Sequence, residues 1–200
     1  MTKILLIRHA TNDTVGVRLS GRRAGVHLNE EGRSQAQKLA AQLRGMKIHA
    51  IYSSPLERAV ETAEPISKIL GMETVICQDF LEINFGEWTF KTFKELDELA
   101  QFKQFNSFRS FTRVPGGESM PEAQMRMIAG IEKLCSRHPD ETVAIVSHAD
   151  MIKSAVAYYT GTHLDLFHRV EISPASVSII EIGYGTAAIR LVNYTGELVI

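Results

Sequence analysis

Three short apolar runs constrain the fold of this chain most. Each ends in polar residues, and helix-forming sequence follows the second and third directly and the first after a loop rich in Gly and Arg. They read KILLIRHA at 3–10, AIYSSP at 50–55 and VAIVSHA at 143–149. Each run has the length of one buried strand and is too short for a buried helix. Alternation of such strands with helices is typical of a parallel sheet that is covered by helices on both faces.

The remaining elements follow from local patterns. Ser54–Glu57 combines three signals for a helix start: Ser54 as the cap, Pro55 at the first helical position and Glu57 closing a capping box. Strands are predicted over 3–8, 49–54, 73–77 and 142–147 and within 169–192, and helices over 29–43, 54–70, 121–137 and 150–159.

The stretch between about residues 80 and 120 departs from this alternation. It is rich in phenylalanine and ends at the turn-forming P-G-G of 115–117. We therefore predict an insertion with one or two short helices there. The fold class that the sequence predicts is α/β, with three layers, a mostly parallel central sheet and helices on both faces, in one domain over residues 1–200.

Composition excludes several classes of partner. The 22 basic residues are balanced by 23 acidic ones, whereas a protein that binds nucleic acid or an anionic membrane normally carries a basic excess. No stretch approaches the ~20 apolar residues of a membrane span, and no N-terminal signal segment is evident. We therefore expect a cytoplasmic protein, in which Cys77 and Cys135 are free thiols.

Four cationic or imidazole side chains stand at or just after the ends of the three apolar runs. Because ligands bind beyond the carboxyl ends of parallel strands, we expect Arg8, His9, Arg58 and His148 to converge. Two guanidinium groups, two imidazoles and two helix N-termini form an anion site that suits a tetrahedral phosphate. Ordinary structural roles are assigned to the other histidines, namely His27, His49, His138, His163 and His168.

Five sequence segments occur together in a family-specific order and span residues 4 to 150. They are Arg8-His9, S-P-L-x-R-A-x-x-T-A at 54–63, FLEINFGEW at 80–88, P-G-G-E-S at 115–119 and V-S-H at 146–148. In this order they resemble the motifs of the histidine phosphatase superfamily, in its phosphoglycerate-mutase-like branch.

The resemblance implies a reaction and a set of catalytic residues. His9 would attack phosphorus and carry the phosphoryl group as phosphohistidine. Glu82, between Leu81 and Ile83, would protonate the leaving alcohol and then activate water. The other three would hold the phosphoryl oxygens: Arg8, Arg58 and His148. No metal or cofactor is implied, because cationic side chains take the place of Mg²⁺, and the substrate is a small-molecule phosphate ester.

The resemblance also suggests further contacts. Candidates for substrate binding are Thr11, Ser20, Gly21 and Arg22, of which Arg22 is either a third guanidinium at the phosphate or simply solvated. Glu118 and Ser119 are expected to organise a turn and cap the next helix. Six aromatic residues either wall an apolar substrate pocket or form the core of the insertion: Phe85, Trp88, Phe102, Phe105, Phe108 and Phe111.

The sequence departs from the family pattern at three positions. Ala10 replaces a glycine that the family usually has, which is harmless if its backbone φ is negative and strained if φ must be positive. Phe90 replaces the last glycine of the family's G-x-W-x-G, so we expect a differently shaped lid. Asp150 stands where small residues are common. It either disfavours a second anionic group on the substrate or orients His148.

Alternative functions remain open at this point. A cofactor-dependent phosphoglycerate mutase would carry extra basic residues and an ordered C-terminal tail, and Glu197–Ile200 offers no basic lid. A non-catalytic phosphate-binding module on the same fold would be signalled by loss of His9 or Glu82, and both are present. A dinucleotide site would need G-x-G-x-x-G after the first strand, where RHATND stands. A homodimer is possible.

Overall fold

A six-stranded sheet forms the centre of the molecule. The structure, a computed structural model, describes residues 1–196, so the expectation for Glu197–Ile200 lies outside the described residues. In chain order the strands are β1 (Thr2–Arg8), β2 (Ala50–Ser53), β3 (Thr74–Ile76), β4 (Thr142–Ser147), β5 (Val177–Gly183) and β6 (Thr186–Tyr194).

The order of the strands places the three apolar runs side by side. The sheet reads β3-β2-β4-β1-β5-β6, with parallel pairing from β3 to β1 and antiparallel pairing of β5 with β1 and β6. Arg8 at the end of β1 is level with Ser147 of β4, and Ser53 of β2 with Val146 of β4. The ends of these strands therefore lie at one edge, and the predicted fold class is confirmed.

Helices cover both faces of the sheet. Successive side chains of β1 point to opposite faces, so Ile4 and Leu6 enter one core while Leu5 and Ile7 enter the other. The helices are α1 (Glu30–Leu43), α2 (Glu57–Leu70), α3 (Phe93–Asp97), α4 (Ala100–Ser107), α5 (Met120–Arg137) and α6 (Ala149–Thr160). The first core packs on α5 and α6, and the second on α1 and α2.

Two helix starts were predicted correctly and one was not. Asn29 caps α1 by accepting from the Gly32 amide, and Ser119 forms a reciprocal capping box with Glu122 at α5. The predicted cap at Ser54 is wrong. Leu56 occupies that position at α2, which begins at Glu57, and makes no side-chain capping bond. The Ser54 hydroxyl lies before the helix, where it accepts from the Leu56 amide (3.4 Å) and is bound to His148 (2.8 Å).

The segment between β3 and α5 is mostly irregular and contains α3 and α4. Of its aromatic side chains, Trp88 and Phe105 are buried against each other in the first core, whereas Phe108 and Phe111 are exposed. The segment thus contributes to the core of the whole molecule.

The structure also shows the state of the two cysteines and the character of the helices. Cys77 and Cys135 are free cysteines, as predicted. No helix within residues 1–196 has both the length and the apolar character required to cross a membrane.

Candidate active site

A cavity of about 170 Å³ opens at the carboxyl ends of β1 and β4. Six of the nine residues predicted to be catalytic or substrate-binding line it, and no element contributes more than two of them. The wall includes Arg8, His9, Ser20, Gly21, Arg58 and Glu82, together with Asp150.

His9 is oriented by its own backbone. Its Nδ1 lies 2.8 Å from the Ala10 carbonyl oxygen, which only accepts, so Nδ1 carries the proton and Nε2 keeps its lone pair. Burial, together with the charges of Arg58 and Arg8, holds the pKa of His9 well below its usual value. The imidazole is therefore neutral and its Nε2 is available as a nucleophile.

Arg58 is a buried cation without a carboxylate partner. Its side chain is only 1% exposed. It donates from Nη2 to the Gly21 carbonyl (2.8 Å) and from Nε to Nε2 of His9 (3.3 Å), while Nη1 is buried without a hydrogen-bond partner. Buried polar groups are normally satisfied, so this orphaned donor indicates a missing acceptor.

Arg8 repeats this pattern on the other side of the cavity. Its Nη1 donates to the Ile172 carbonyl (2.6 Å), and its Nε is buried without a partner. Neither Arg8 nor Arg58 joins any ion pair found within residues 1–196, and burial lowers the pKa of both. Two unpaired, desolvated guanidinium groups are costly unless an anion completes the site.

His148 lies behind this pair rather than in the cavity wall. It is fully buried and meets the His9 ring edge-on, with centroids 5.2 Å apart. Its Nε2 is 2.8 Å from the Ser54 hydroxyl and its Nδ1 is 3.4 Å from Nη2 of Arg58. Ser54 and Arg58 therefore orient His148, and Asp150 makes no hydrogen bond to it.

Glu82 is one of the two residues that bring a carboxyl group to the cavity wall, the other being Asp150. Burial, reinforced by the charge of Asp150, raises its pKa to about 7, although Arg58 and Arg8 act in the opposite direction. At neutral pH, protonated and ionised forms are then both well populated. A carboxyl group in this state can both donate and accept a proton.

Two arginines hold the chain segment that carries Glu82. Nε of Arg22 donates to the Glu82 carbonyl (2.8 Å), and Nη1 of Arg126 donates to the Leu81 carbonyl (2.9 Å). Both guanidinium groups also bind Glu118, whose carboxylate accepts from the Asn84 amide. Arg126 was missed in the sequence, because a helical arginine 44 residues from Glu82 carries no local signal.

The structure separates the four candidates for substrate binding. Ser20 and Gly21 line the cavity, and Gly21 has a φ of 51°, a value that favours glycine. Thr11 lies outside the wall, with its amide bound to Gln35. Arg22 also lies outside, because Glu118 holds its guanidinium, so the structure does not place a third guanidinium at the phosphate.

The two positions at which this chain lacks a glycine of the family, 10 and 90, differ in backbone conformation. Ala10 does not have a positive φ, and its amide donates to the Thr62 hydroxyl (2.9 Å), so this departure causes no backbone strain. Phe90 has a φ of 69°, in the left-handed region that disfavours a bulky residue. Its ring packs under the guanidinium groups of Arg18 and Arg23, with centroid distances of 5.1 and 5.3 Å.

A second cavity of about 590 Å³ adjoins the first and shares four wall residues with it, including Asp150. Phe85 and Phe102, two of the six aromatic candidates, belong to this wall. Arg109, which lines this wall, was not predicted from the sequence, and an ordinary structural role was predicted for His168. The full lining is Leu19, Phe85, Phe93, Asp97, Phe102, Asn106, Arg109, Asp150 and His168.

The orphaned donors lead to a testable prediction about anions. We expect inorganic phosphate at 100-fold over its Kd to stabilise the protein by about 2.7 kcal/mol, a rise in Tm of roughly 5–10 °C for a chain of this size. The substitution Arg58→Met should abolish most of this rise, while Arg44→Met, at an exposed position after α1, should leave it intact. Thermal unfolding with and without phosphate measures both. An unchanged rise in Arg58→Met would contradict the anion site.

No group of three or more His, Cys, Asp or Glu residues within 1–196 lies close enough together to hold a metal ion. The charged and imidazole groups that line the cavity are three guanidinium groups, one imidazole and two carboxyl groups, from Arg8, Arg18, Arg58, His9, Glu82 and Asp150. Such an arrangement can bind a phosphoryl group, attack it from His9 and exchange a proton through Glu82.

Known proteins of similar sequence include enzymes named for phosphate-ester chemistry. A bifunctional protein of Mycobacterium tuberculosis is 33% identical over 200 residues, which cover 98% of this chain and 55% of that protein. The chain spans about half the length of this and the other mycobacterial relatives. Phosphoserine phosphatase 1 of Hydrogenobacter thermophilus is 30% identical over 203 residues, covering 99% of this chain and 95% of the relative.

Solved structures show the same architecture, and a family model matches most of the chain. A mutant phosphoserine phosphatase from Entamoeba histolytica in complex with phosphoserine has a TM-score of 0.87 at 28% identity, over 100% of both chains. The same enzyme in complex with 3-phosphoglyceric acid gives 0.87 at 26% identity, again over 100% of both. The model of the histidine phosphatase superfamily (branch 1) matches residues 4–195. The resemblance read from the motifs is confirmed: this chain belongs to the histidine phosphatase superfamily, branch 1.

Proposed function

We propose that this chain is a metal-independent phosphomonoester hydrolase that acts through a phosphohistidine on His9, with Glu82 as general acid and base. One observation carries the proposal. The nucleophilic Nε2 of His9 lies 3.3 Å from Nε of the buried Arg58, and Arg58 and Arg8 each have a buried nitrogen without a hydrogen-bond partner. A carboxyl group with a pKa of about 7 lines the same cavity.

In the first step, the phosphoryl group is transferred to the enzyme. The lone pair on Nε2 of His9 forms the N–P bond, and the bond from phosphorus to the alcohol oxygen breaks. Protonated Glu82 gives its proton to the departing oxygen, which leaves as a neutral alcohol. Arg8 and Arg58 stabilise the charge on the phosphoryl oxygens, and each preorganised donor contributes on the order of 3 kcal/mol.

In the second step, water releases the phosphate. The ionised Glu82 takes a proton from water as its oxygen attacks phosphorus, and the N–P bond breaks. His9 recovers its lone pair and Glu82 its proton, so the enzyme returns to its starting state. The hydrogen bond from Nδ1 to the Ala10 carbonyl keeps the ring in one orientation through both steps.

The supporting residues have positional roles in this proposal. His148 lies behind the cavity wall, is bound by Ser54 and fixes Arg58 against His9. Arg22 and Arg126 hold the Glu82 backbone through Glu118. Ser20 and Gly21 complete the wall near the phosphate.

The substrate class is a small-molecule phosphate ester. Relatives with the names phosphoserine phosphatase and structures with phosphoserine or 3-phosphoglyceric acid bound support this class for the chain. Cytoplasmic location and a homodimer remain predictions.

The principal alternative is a cofactor-dependent phosphoglycerate mutase, and one experiment separates it from hydrolysis. The protein is incubated with 3-phosphoglycerate and a trace of the bisphosphate, with chelator present, while inorganic phosphate and 2-phosphoglycerate are both measured. We expect release of phosphate and an acid-labile phosphoenzyme. Rapid formation of 2-phosphoglycerate would favour the mutase, whereas phosphate binding without turnover of this or an aryl phosphate would favour a binding module.

A further inference from the structure

The second cavity is the space into which the leaving alcohol of a bound phosphate ester would extend. It adjoins the catalytic cavity, and the two share Leu19, Phe85, Phe93 and Asp150. Three of these four residues are apolar. Asp150 is thus the charged group at the junction, where the first carbons of the alcohol must pass.

Arg109 is the cation of this second wall, and each of its three nitrogens already has a partner within the protein. It is 5% exposed and donates from Nη1 to Asp150 (3.0 Å), from Nη2 to Asn106 (2.8 Å) and from Nε to His168 (2.9 Å). The ring centroids of Phe105 and Phe167 lie 4.5 and 4.4 Å from its Cζ. Because the side chain is buried and bound to these partners, we assign Arg109 the role of holding Asp150 rather than of receiving a substrate carboxylate.

His168 does not add a positive charge. Burial and the charge of Arg109 lower its pKa, and its Nε2 accepts the bond from Arg109. The ring is therefore neutral at physiological pH, with its proton on Nδ1.

Asp150 has acceptor capacity left over. One of its oxygens accepts from Arg109, and the other makes none of the hydrogen bonds found among residues 1–196. Asp97 adds a second carboxylate to the same wall. Of the nearby cations, Lys153 lies over the ring of Phe167 at 6.0 Å. Arg18 lines the first cavity but not the second; it lies over the ring of Phe90 at 5.1 Å and donates from Nη1 to the Phe90 carbonyl (3.1 Å).

We propose that Asp150, held by Arg109, is a specificity-determining residue that selects phosphate esters whose alcohol carries an ammonium group close to the ester oxygen. This inference rests on the proposed phosphatase function and names the substrate class of that site. An ammonium group at the junction meets the free oxygen of Asp150. A carboxylate or second phosphate there meets the like charge of Asp150.

Three esters of nearly equal size test the charge preference. Phosphoethanolamine carries an ammonium group, propyl phosphate carries no charge on its alcohol, and 2-phosphoglycolate carries a carboxylate. We expect kcat/KM of the wild type to fall in that order, by about tenfold at each step, as is typical of a site that provides one matching polar partner. Equal kcat/KM for the three esters would overturn the inference.

The variant Asp150→Asn keeps an acceptor for Arg109 and removes the negative charge. We expect the ratio of kcat/KM for phosphoethanolamine to that for 2-phosphoglycolate to fall about tenfold or more. Because both esters share the same phosphoryl-transfer step, the ratio cancels any accompanying effect on Glu82. The matched variant Glu98→Gln removes an exposed carboxylate that lines neither cavity and should leave the ratio unchanged.

Further measurements distinguish a failed specificity role of Asp150 from misfolding, from an effect through Glu82 and from failure of the proposed phosphatase function. If Asp150→Asn fails to fold, the double variant Arg109→Met with Asp150→Leu removes both buried charges together, and the same loss of preference is expected. An equal decrease of kcat/KM for all three esters would mean that Asp150 acts only through Glu82, which contradicts the specificity role. If the wild type hydrolyses none of the esters and forms no phosphohistidine, it is the proposed function that fails.

Discussion

The substitution His9→Ala is expected to lower kcat/KM for any phosphate monoester by on the order of 10⁴-fold or more and to abolish the phosphoenzyme. The reason is that removing the nucleophile removes the covalent route altogether, and only the electrostatic contribution of the guanidinium groups remains. Turnover of an aryl phosphate in the presence of chelator measures the loss, and acid-labile radiolabel on the protein measures the intermediate.

The His9→Ala experiment has an internal positive control. The substitution leaves a hole beside Arg58 that is the size of an imidazole ring, so added imidazole should restore part of the hydrolysis by acting as the nucleophile. The matched variant His27→Ala removes an exposed histidine paired with Glu61 and should keep wild-type activity. Turnover by His9→Ala equal to that of the wild type would show that phosphorus is attacked by another group.

The substitution Glu82→Gln is expected to have the second largest effect, one that depends on the leaving group. For alkyl phosphates, kcat/KM should fall by about 10²–10⁴-fold, because an alkoxide must leave without a proton. For an aryl phosphate, the first step should be affected less, since a phenolate leaves without assistance. The second step still needs a base, so we expect a burst of phenol release followed by slow turnover and accumulation of phosphohistidine.

The pH dependence provides an independent check on Glu82. Because its pKa is raised to about 7 and the first step needs the protonated carboxyl, kcat/KM for an alkyl phosphate should decrease as pH rises through about 7. This decrease should be absent from Glu82→Gln. Ionisation of the substrate phosphate, with a pKa near 6, remains in both proteins and serves as the reference. The variant Glu87→Gln, at an exposed position nearby, should retain the wild-type profile. A persistent decrease above pH 7 in Glu82→Gln would assign the acid to another residue.

Much of the fold could be predicted because its signals are local. The run Ile4–Ile7 is fully buried on both faces, and its length and apolar character already predict an interior strand. Asn29 and Ser119 cap their helices as expected, since a cap depends on only three or four neighbouring residues. Ser54 has the same local signal, but the helix begins only at Glu57, and the Ser54 hydroxyl also binds a histidine 94 residues away.

The candidate site likewise has features that the sequence predicts and features that depend on contacts between distant segments. The convergence of Arg8, His9 and Arg58 follows from the rule that parallel strands present their carboxyl ends at one edge. The pairing of Arg22 with Glu118 joins residues 96 positions apart, and it moves a predicted phosphate contact into a supporting role. No pattern in the segment around Arg22 or in the segment around Glu118 predicts this pairing.

The sequence by itself determined the α/β class, the positions of the strands and the identity of the side chains that stand at their ends. Only the tertiary structure decided how those side chains are oriented and charged. The proton position on His9 depends on a carbonyl within its own loop, and the pKa of Glu82 depends on burial and on Asp150. Arg109 meets Asp150 and His168 across 41 and 59 residues. Desolvation and charge pairing act through space, so they become defined only when distant segments pack together.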